Sequence, residues 1–588
     1  MGGFHLQYTG ADADPAGLAS AEAQFARHGF AAPRRLAVPG WAIRHWDAIA
    51  GGPAGFVQQG TDWAAVAGTI SVDGRFGAPA LAALLAMIDP ARPTPLLDWD
   101  RLAGEFALVL HRGGRTFLIG DFFGTWPVYR DLPNTLFSTS FLAAAQAQPR
   151  LRFDTQAVYE FAFNVVPVGD DTVLAEIRTL AAGSIVELLP GGASTTHGGP
   201  RPLPEAPVRM PLGERIAQIR APLETQANAI AAQFGNAVHA PLSGGLDSRL
   251  VLALLRAAGV RPQVYVYGPE TSADVRVARA IGAELGFDVA WTDKNRAPIT
   301  PDAFPGQVAA NFDRFDGLPN FGNLFDNGGN ATALDARHTA GALAISGGCG
   351  EVFRDFFFLA DRRMRAGAVT QSFFARFLAD DLTSAFDRDA FLGAITAKLR
   401  AALGAGGRDQ PLSRTRIEQL YPRVRCRSLF GREIAIEGRH GPYAMPFLDH
   451  RVVAAALQLP MRLKQAGAFE AALIAAIDPV LAAQPSAYGH AFDVPPGFRH
   501  RLAEWSTRLR PPWLRAQSYA LQRRLRPMTD EHGGLLSPDY LGRVIDLDLP
   551  VMRRWFRVER IADSALLRRI ACLEYLAARL GGRLDPQG

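Results

Sequence analysis

From Ala237 to Gly259 the chain reads AVHAPLSGGLDSRLVLALLRAAG. The short apolar run Ala237–Leu242 predicts a strand, and Leu250–Ala258, closed by Gly259, predicts a helix. Between them lies Ser243-Gly244-Gly245-Leu246-Asp247-Ser248. Two glycines permit close backbone approach, and bare N–H groups at a helix N-terminus attract anions. The hydroxyls of Ser243 and Ser248 add donors. Asp247 offers the oxygen that a magnesium ion takes beside a nucleotide triphosphate. Two commoner phosphate loops are excluded. A GK[ST] loop needs a lysine before Ser or Thr, and none of Lys294, Lys398 and Lys464 has that neighbour; GxGxxG is also absent here.

Outward from this loop, strands alternate with helices. A helix is expected over Arg215–Gln233, a strand over Val264–Tyr267, and a helix over Asp274–Leu285 capped by Gly286. Strands follow at Val289–Trp291 and Leu343–Ile345. That rhythm predicts a parallel sheet with crossover helices. A second glycine loop, Ser346-Gly347-Gly348-Cys349-Gly350-Glu351, leaves the last of these strands. Beyond residue 370 the pattern is mostly helical. Its Arg-rich patches, 499–526 and 553–570, read as solvated helix faces.

The N-terminal part has a different grain, with short apolar stretches broken by Gly, Pro and Asp. Phe106–His111 and Thr116–Gly120 flank an RGGR turn and read as a hairpin, and Ser184–Leu189 reads as a strand. The stretch PGGASTTHGGPRPLPEAP reads as a linker, placing a domain boundary near residues 190–210.

Composition narrows the class. The 588 residues are 48% hydrophobic and 20% charged, with a net charge of +5, as in a folded globular protein. No apolar run reaches the roughly 18 residues of a membrane span, and MGGFHLQYTGADAD lacks a basic n-region and an apolar h-region. A cytoplasmic protein without a membrane partner is expected. The three cysteines, Cys349, Cys426 and Cys572, have no metal-ligand spacing and suit a reducing compartment. Of 62 basic residues 59 are arginine, a codon-level bias that gives arginine clusters little weight as nucleic-acid sites.

The SGGLDS loop resembles the pyrophosphate loop of the ATP-pyrophosphatase family, whose members cleave ATP between its α- and β-phosphates. The second glycine loop and Pro446-Phe447-Leu448-Asp449 resemble elements of the asparagine synthetase superfamily, with Asp449 read as structural. GEFALVLHRGGRTFLIGDFFGTWPVYRD (104–131) and LFSTS (136–140) resemble that superfamily's amidotransferase domain. The resemblance implies two domains. Residues 1–200 would be a degenerate, Ntn-type αββα glutamine-amidotransferase-like domain. Residues 205–588 would be an adenylating ATP-pyrophosphatase domain with a parallel sheet and added helices.

It also implies ATP and Mg2+ as cofactors, with adenine against Leu242, Val266 and Tyr267. Pyrophosphate would lie within Ser243, Gly244, Gly245, Leu246, Asp247 and Ser248, with Gly347 and Gly348 beside it. Asp247 and Glu351 would be the catalytic, metal-holding pair.

One departure from the pattern matters more than the matches. The superfamily's amidotransferases use a cysteine exposed after Met removal, and here Gly2 and Gly3 stand there. A glycine cannot form the thioester that releases ammonia. Two branches use an amine already on the substrate: β-lactam synthetases and lasso-peptide cyclases. The segments 347–359, 315–330 and 468–492 resemble the cyclases. Where related synthetases carry a lysine, this chain has Phe469 and Glu470, while Lys464 reads as a solvated helix end. The expectation is a lasso-peptide cyclase that joins an Asp or Glu side chain of a leader-processed precursor peptide to its own N-terminal amine. A leader-binding protein and a leader peptidase are the implied partners. Alternatives are a small-molecule amide ligase of the asparagine- or β-lactam-synthetase kind, an RNA-modifying pyrophosphatase, and a scaffold with decayed sites.

Overall fold

Alternating apolar residues in the N-terminal third build two six-stranded antiparallel sheets. One runs Ile177–Thr179, Tyr129–Asp131, Leu136–Ser138, Gly3–Tyr8, Trp41–Trp46, Arg34–Val38. The other runs Gly192–His197, Ser184–Leu189, Arg115–Gly120, Phe106–Arg112, Asp62–Gly68, Phe56–Gln59. Both faces of the central strands are buried, while the edge strands Arg34–Val38, Phe56–Gln59 and Gly192–His197 stay largely exposed. Trp63, Ala65 and Ala67 pack with Phe4, Leu6, Trp41 and Ile43 of the facing sheet. Ala64 and Val66 turn instead to Leu81, Leu84 and Leu85 of the helix Gly77–Met87. Helix Pro15–Arg27 covers the outer face of the first sheet through Ala21 and Phe25. The result is helix, sheet, sheet, helix. The computed structural model describes residues 2–10, 15–92, 94–319, 323–405, 410–526 and 534–585, so 320–322 of the segment 315–330 lie outside it.

The expected linker is shorter than its composition implied. Gly192–His197 pairs antiparallel with Ser184–Leu189, from Leu189 opposite Gly192 to Ser184 opposite His197. Pro190-Gly191 makes the two-residue turn, and the threonines that follow favour extended backbone. Only residues 198–211 connect to the helix Leu212–Phe234.

The third sheet is parallel throughout, ordered Val289–Thr292, Gln263–Tyr267, Val238–Pro241, Leu343–Ile345, Tyr443–Ala444. Helices Leu246–Ala257 and Ala273–Leu285 make the crossovers. The first begins four residues earlier than its apolar pattern suggested, because Gly245 is still extended (φ −91°, ψ −179°) and Leu246 is buried. Asp247 therefore sits in the first helical turn.

The two parts share one apolar core. Helix Gly431–His440 lies between them: Arg439 and His440 carbonyls accept from Ile49 and Ala50 N–H, and Gly438 accepts from Gly2 N–H. Asp316 accepts from Ser140 Oγ (2.8 Å), Phe141 N (2.7 Å) and Arg439 Nη2 (2.7 Å). Several cations and backbone N–H groups hold its buried carboxyl well below the usual carboxylate range, against the cost of burial. Beyond residue 370 helices dominate, and the last long one, Ser564–Leu580, returns to pack on Thr155–Asn164.

Candidate functional site

The first glycine loop is held ready by its own hydroxyls. Ser243 Oγ lies 2.9 Å from Ser248 Oγ, which also accepts from Ser243 N at 2.9 Å; Gly245 N donates to Ser243 Oγ. Gly244 N donates to Asp274 Oδ1 at 2.8 Å, and Gly244 O accepts from Ala487 N. A Cβ on Gly244 would stand 2.4 Å from the Ala487 side chain, so only glycine fits beneath that segment. No side chain caps the helix that follows. Its first turn keeps the partial positive charge that favours an anion.

The second loop closes against the first. A Cβ on Gly347 would stand 2.7 Å from the Asp247 carbonyl carbon, and one on Gly350 only 2.2 Å from Asp247 Oδ1. Gly348 N donates to Ser346 Oγ and its Cα faces Met445 and Phe430. The two predicted carboxylates are thus brought together, and a residue that sequence reasoning left out joins them. Arg354 Nη2 donates to Asp247 Oδ1 (2.7 Å) and Oδ2 (2.6 Å) and lies 3.7 Å from Glu351 Oε1; its Nε is 3.5 Å from Glu470 Oε2. Tyr421 hydroxyl donates to the other Glu351 oxygen. The signal was Arg354 one helical turn after Glu351, hidden in an arginine-rich composition.

Burial raises the Asp247 carboxyl above its ordinary range, with the Arg354 guanidinium working against it. Glu470 has no exposed surface, and neither carboxylate oxygen meets a hydrogen-bond donor. Burial first, then the charge of Asp247, pushes it well up. The all-oxygen pair Asp247 and Glu351 suits Mg2+, which takes one or two protein carboxylates when phosphates supply further ligands. Among the described residues no group of three His, Cys, Asp or Glu is placed to hold a metal alone. Arg354 holds the two Asp247 oxygens in this structure, so the pair would suit a nucleotide-borne Mg2+ only with Arg354 displaced.

The predicted adenine shelf is divided. Leu242 and Val266 are 1% and 4% exposed and belong to the core, leaving their backbone edges; Leu242 N donates to Tyr265 O. Tyr267 lines a separate cavity of about 270 Å3 at the C-terminal ends of the parallel strands, with Lys294, Arg337, Ser346, Glu433 and Glu437. Arg337 and His338 bind Glu437, whose carboxyl drops to about 2 despite burial. Burial lifts Glu433 to about 7 and pulls Lys294 down to about 8.

Two further expectations change. Lys464 is not solvated: it is 1% exposed, its Nζ donates to Val352 O at 2.8 Å, and Glu418 Oε2 lies at 3.7 Å. It ties down the backbone next to Glu351. Within 499–526, Arg508 turns inward to Asp355 (3.0 Å) and Arg515 to the Phe357 carbonyl (2.9 Å), while apolar side chains face out. Asp449 caps helix His450–Leu457, accepting from Arg451 N, and also accepts from Gln226.

No family model matches the chain, and no curated protein matches it. Among solved structures, a glutamine phosphoribosylpyrophosphate (PRPP) amidotransferase from B. subtilis, complexed with ADP and GMP, is similar over 50% of this chain and 90% of its own, at 10% identity and a TM-score of 0.24. A structure described as the allosteric regulatory enzyme of purine biosynthesis is similar over 45% and 65%, at 12% identity and a TM-score of 0.21. Likenesses this loose say nothing of activity. Among the described residues no helix is long and apolar enough to cross a membrane.

Proposed function

We propose that this chain is an ATP-dependent, AMP-forming carbon–nitrogen ligase, and that it closes a macrolactam on a peptide as a lasso-peptide cyclase does. The observation that carries the reading is the meeting of Asp247, Glu351 and Arg354 at an uncapped helix N-terminus between two glycine loops. On this reading residues 205–588 form the ATP-pyrophosphatase domain and 1–200 an inactive Ntn-type amidotransferase-like domain.

Buried Gly2 supports the second assignment. At φ +99°, a Cβ there would lie 1.9 Å from the Trp46 carbonyl oxygen, so the position admits no nucleophilic side chain. Cys349 is no substitute, because it is buried and burial lifts its thiol far above the ordinary range.

The substrate carboxylate oxygen forms a bond to the α-phosphorus of ATP, and the bond to the β-phosphate bridging oxygen breaks. The Ser243–Ser248 loop receives the departing pyrophosphate with backbone N–H groups and hydroxyls. Asp247 and Glu351 would hold Mg2+, which neutralises phosphate charge when bound. Arg354, displaced from Asp247, supplies the cation that related enzymes take from a lysine. The peptide's α-amine, with a pKa of about 7.7–8.0 and partly neutral, then attacks the acyl carbon and expels AMP, losing its proton to solvent. Holding the folded peptide in place can contribute an effective molarity of roughly 10⁵ M.

The cavity beside Ser346 favours the alternative, an amide ligase acting on a small molecule. One experiment tests both readings. Incubation of the full chain with α-labelled ATP and candidate acceptors should release AMP and pyrophosphate without glutamine; a cyclised product should weigh one water less than its peptide, and a small-molecule amide one water less than acid and amine together. ADP and orthophosphate as products overturn the ligase reading.

A further inference from the structure

Helix Phe498–Leu509 presents Phe498, Leu502, Trp505 and Leu509 to solvent at 70%, 46%, 54% and 61% exposure. Their spacing of four, three and four residues places them on one face. Between this face and the backbone of Ala466–Ala468 runs an open groove of about 650 Å3. Arg462 and Arg501 also line it, and neither has an ion-pair partner among the described residues.

The groove's floor is also the wall of the carboxylate cluster. Glu504 accepts from Ala466 N at 2.7 Å, fixing the helix to this floor. On the other side Gly467 abuts Leu246: a Cβ there would stand 2.4 Å from Leu246 Cδ1 and 4.0 Å from Arg354 Cδ. Glu470, on the helix that leaves this floor, meets Arg354. One thickness of backbone therefore separates an apolar, basic groove from the proposed adenylating centre.

We propose that this groove seats the acceptor peptide as an extended segment, apolar side chains on Phe498, Leu502 and Trp505 and acidic groups on Arg462 and Arg501. The inference rests on the ligase reading and names where its peptide lies. The helix lines the groove from Phe498 to Arg508, about 15 Å at 1.5 Å per helical residue, the length of four to five extended residues. The unpaired guanidiniums select negative charge, and the exposed rings give apolar anchors of the kind that dominate peptide interfaces.

The test uses the full chain and two labelled ten-residue probes, one alternating Glu with Leu and Phe, the other with Lys in place of Glu, followed by fluorescence anisotropy. The acidic probe should bind at least tenfold more tightly than the basic one. Trp505→Ala and Arg501→Glu should each weaken it tenfold or more; Arg501 is exposed, so its replacement does not depend on repacking. Equal binding of both probes, unchanged binding by both variants, capture by phosphatidylglycerol vesicles that the acidic probe does not compete, or a dimer that buries the groove would each overturn the proposal. Product analysis of ATP turnover stays a separate readout: ADP with intact probe selectivity sinks the ligase reading and leaves the groove, whereas AMP without selectivity does the reverse.

Discussion

Arg354 grips both carboxylate oxygens of Asp247 through a single guanidinium nitrogen, at 2.7 and 2.6 Å. The pair joins the two glycine loops, since Asp247 opens the helix after the first and Arg354 follows the second. On the ligase reading this guanidinium, which here pairs with the carboxylates, would turn to the phosphates when nucleotide binds.

Arg354→Gln is therefore expected to lower AMP formation by about 10²–10³-fold, the range for removing one preorganised donor. Arg354→Lys should recover part of kcat, because charge returns without the fork geometry. Steady-state kinetics at saturating ATP reads the split; full activity in the Gln variant removes Arg354 from the chemistry.

Gly2→Cys should not create a glutaminase. The new Cβ meets the Trp46 carbonyl and the residue keeps a φ that side chains avoid. Glutamate release should stay at background, and thermal melting should show a loss of about 1–3 kcal/mol, the cost of overpacking. Measurable glutamine hydrolysis by either form would contradict the inactive-domain reading.

Stability should respond to pH through two neighbouring glutamates facing Arg337, Lys294, His338 and Tyr443. Glu437 falls to about 2 from an ordinary 4.5, so its contribution is present above 4.5 and lost as pH drops toward 2. Glu433 rises to about 7, so the native state loses stability as pH climbs from 4.5 through 7. Tyr443 hydroxyl donates to Glu433 at 2.7 Å, a bond a glutamine oxygen can also accept. Glu433→Gln should gain on the order of 2 kcal/mol relative to wild type between pH 4.5 and 8. Denaturant titrations at the two pH values check this, and a pH-independent difference would refute it.

Lys464→Met keeps the side-chain length but leaves the Val352 carbonyl without its donor and Glu418 with Arg414 as its buried cation. A destabilisation of about 1–3 kcal/mol is expected from leaving that buried carbonyl unmet. Because Val352 adjoins Glu351, ATP turnover should fall as well. Chemical denaturation together with product analysis measures both effects.

The hairpin at 106–120, the crossover units from 238 to 292 and both glycine loops were legible because each is local: periodicity, turn residues and caps lie within a few positions of one another. Gly192–His197 was not, since pairing with Ser184–Leu189 outweighed a loop-like composition. Leu246 joined the helix for a related reason, burial against residues far away in sequence.

Taken alone, the amino-acid order determined the two glycine-loop motifs, the strand–helix alternation and the absence of a cysteine at position 2, all of which depend on residue type at short range. Only the tertiary structure decided that Arg354 sits between Asp247 and Glu351, that Lys464 is buried under the second loop, and that an apolar helix face lies one backbone segment away from the cluster. Those placements come from strands and helices brought together by a shared core. A guanidinium, an ammonium or an indole is written identically in the sequence whether the fold turns it to solvent or to a carboxylate.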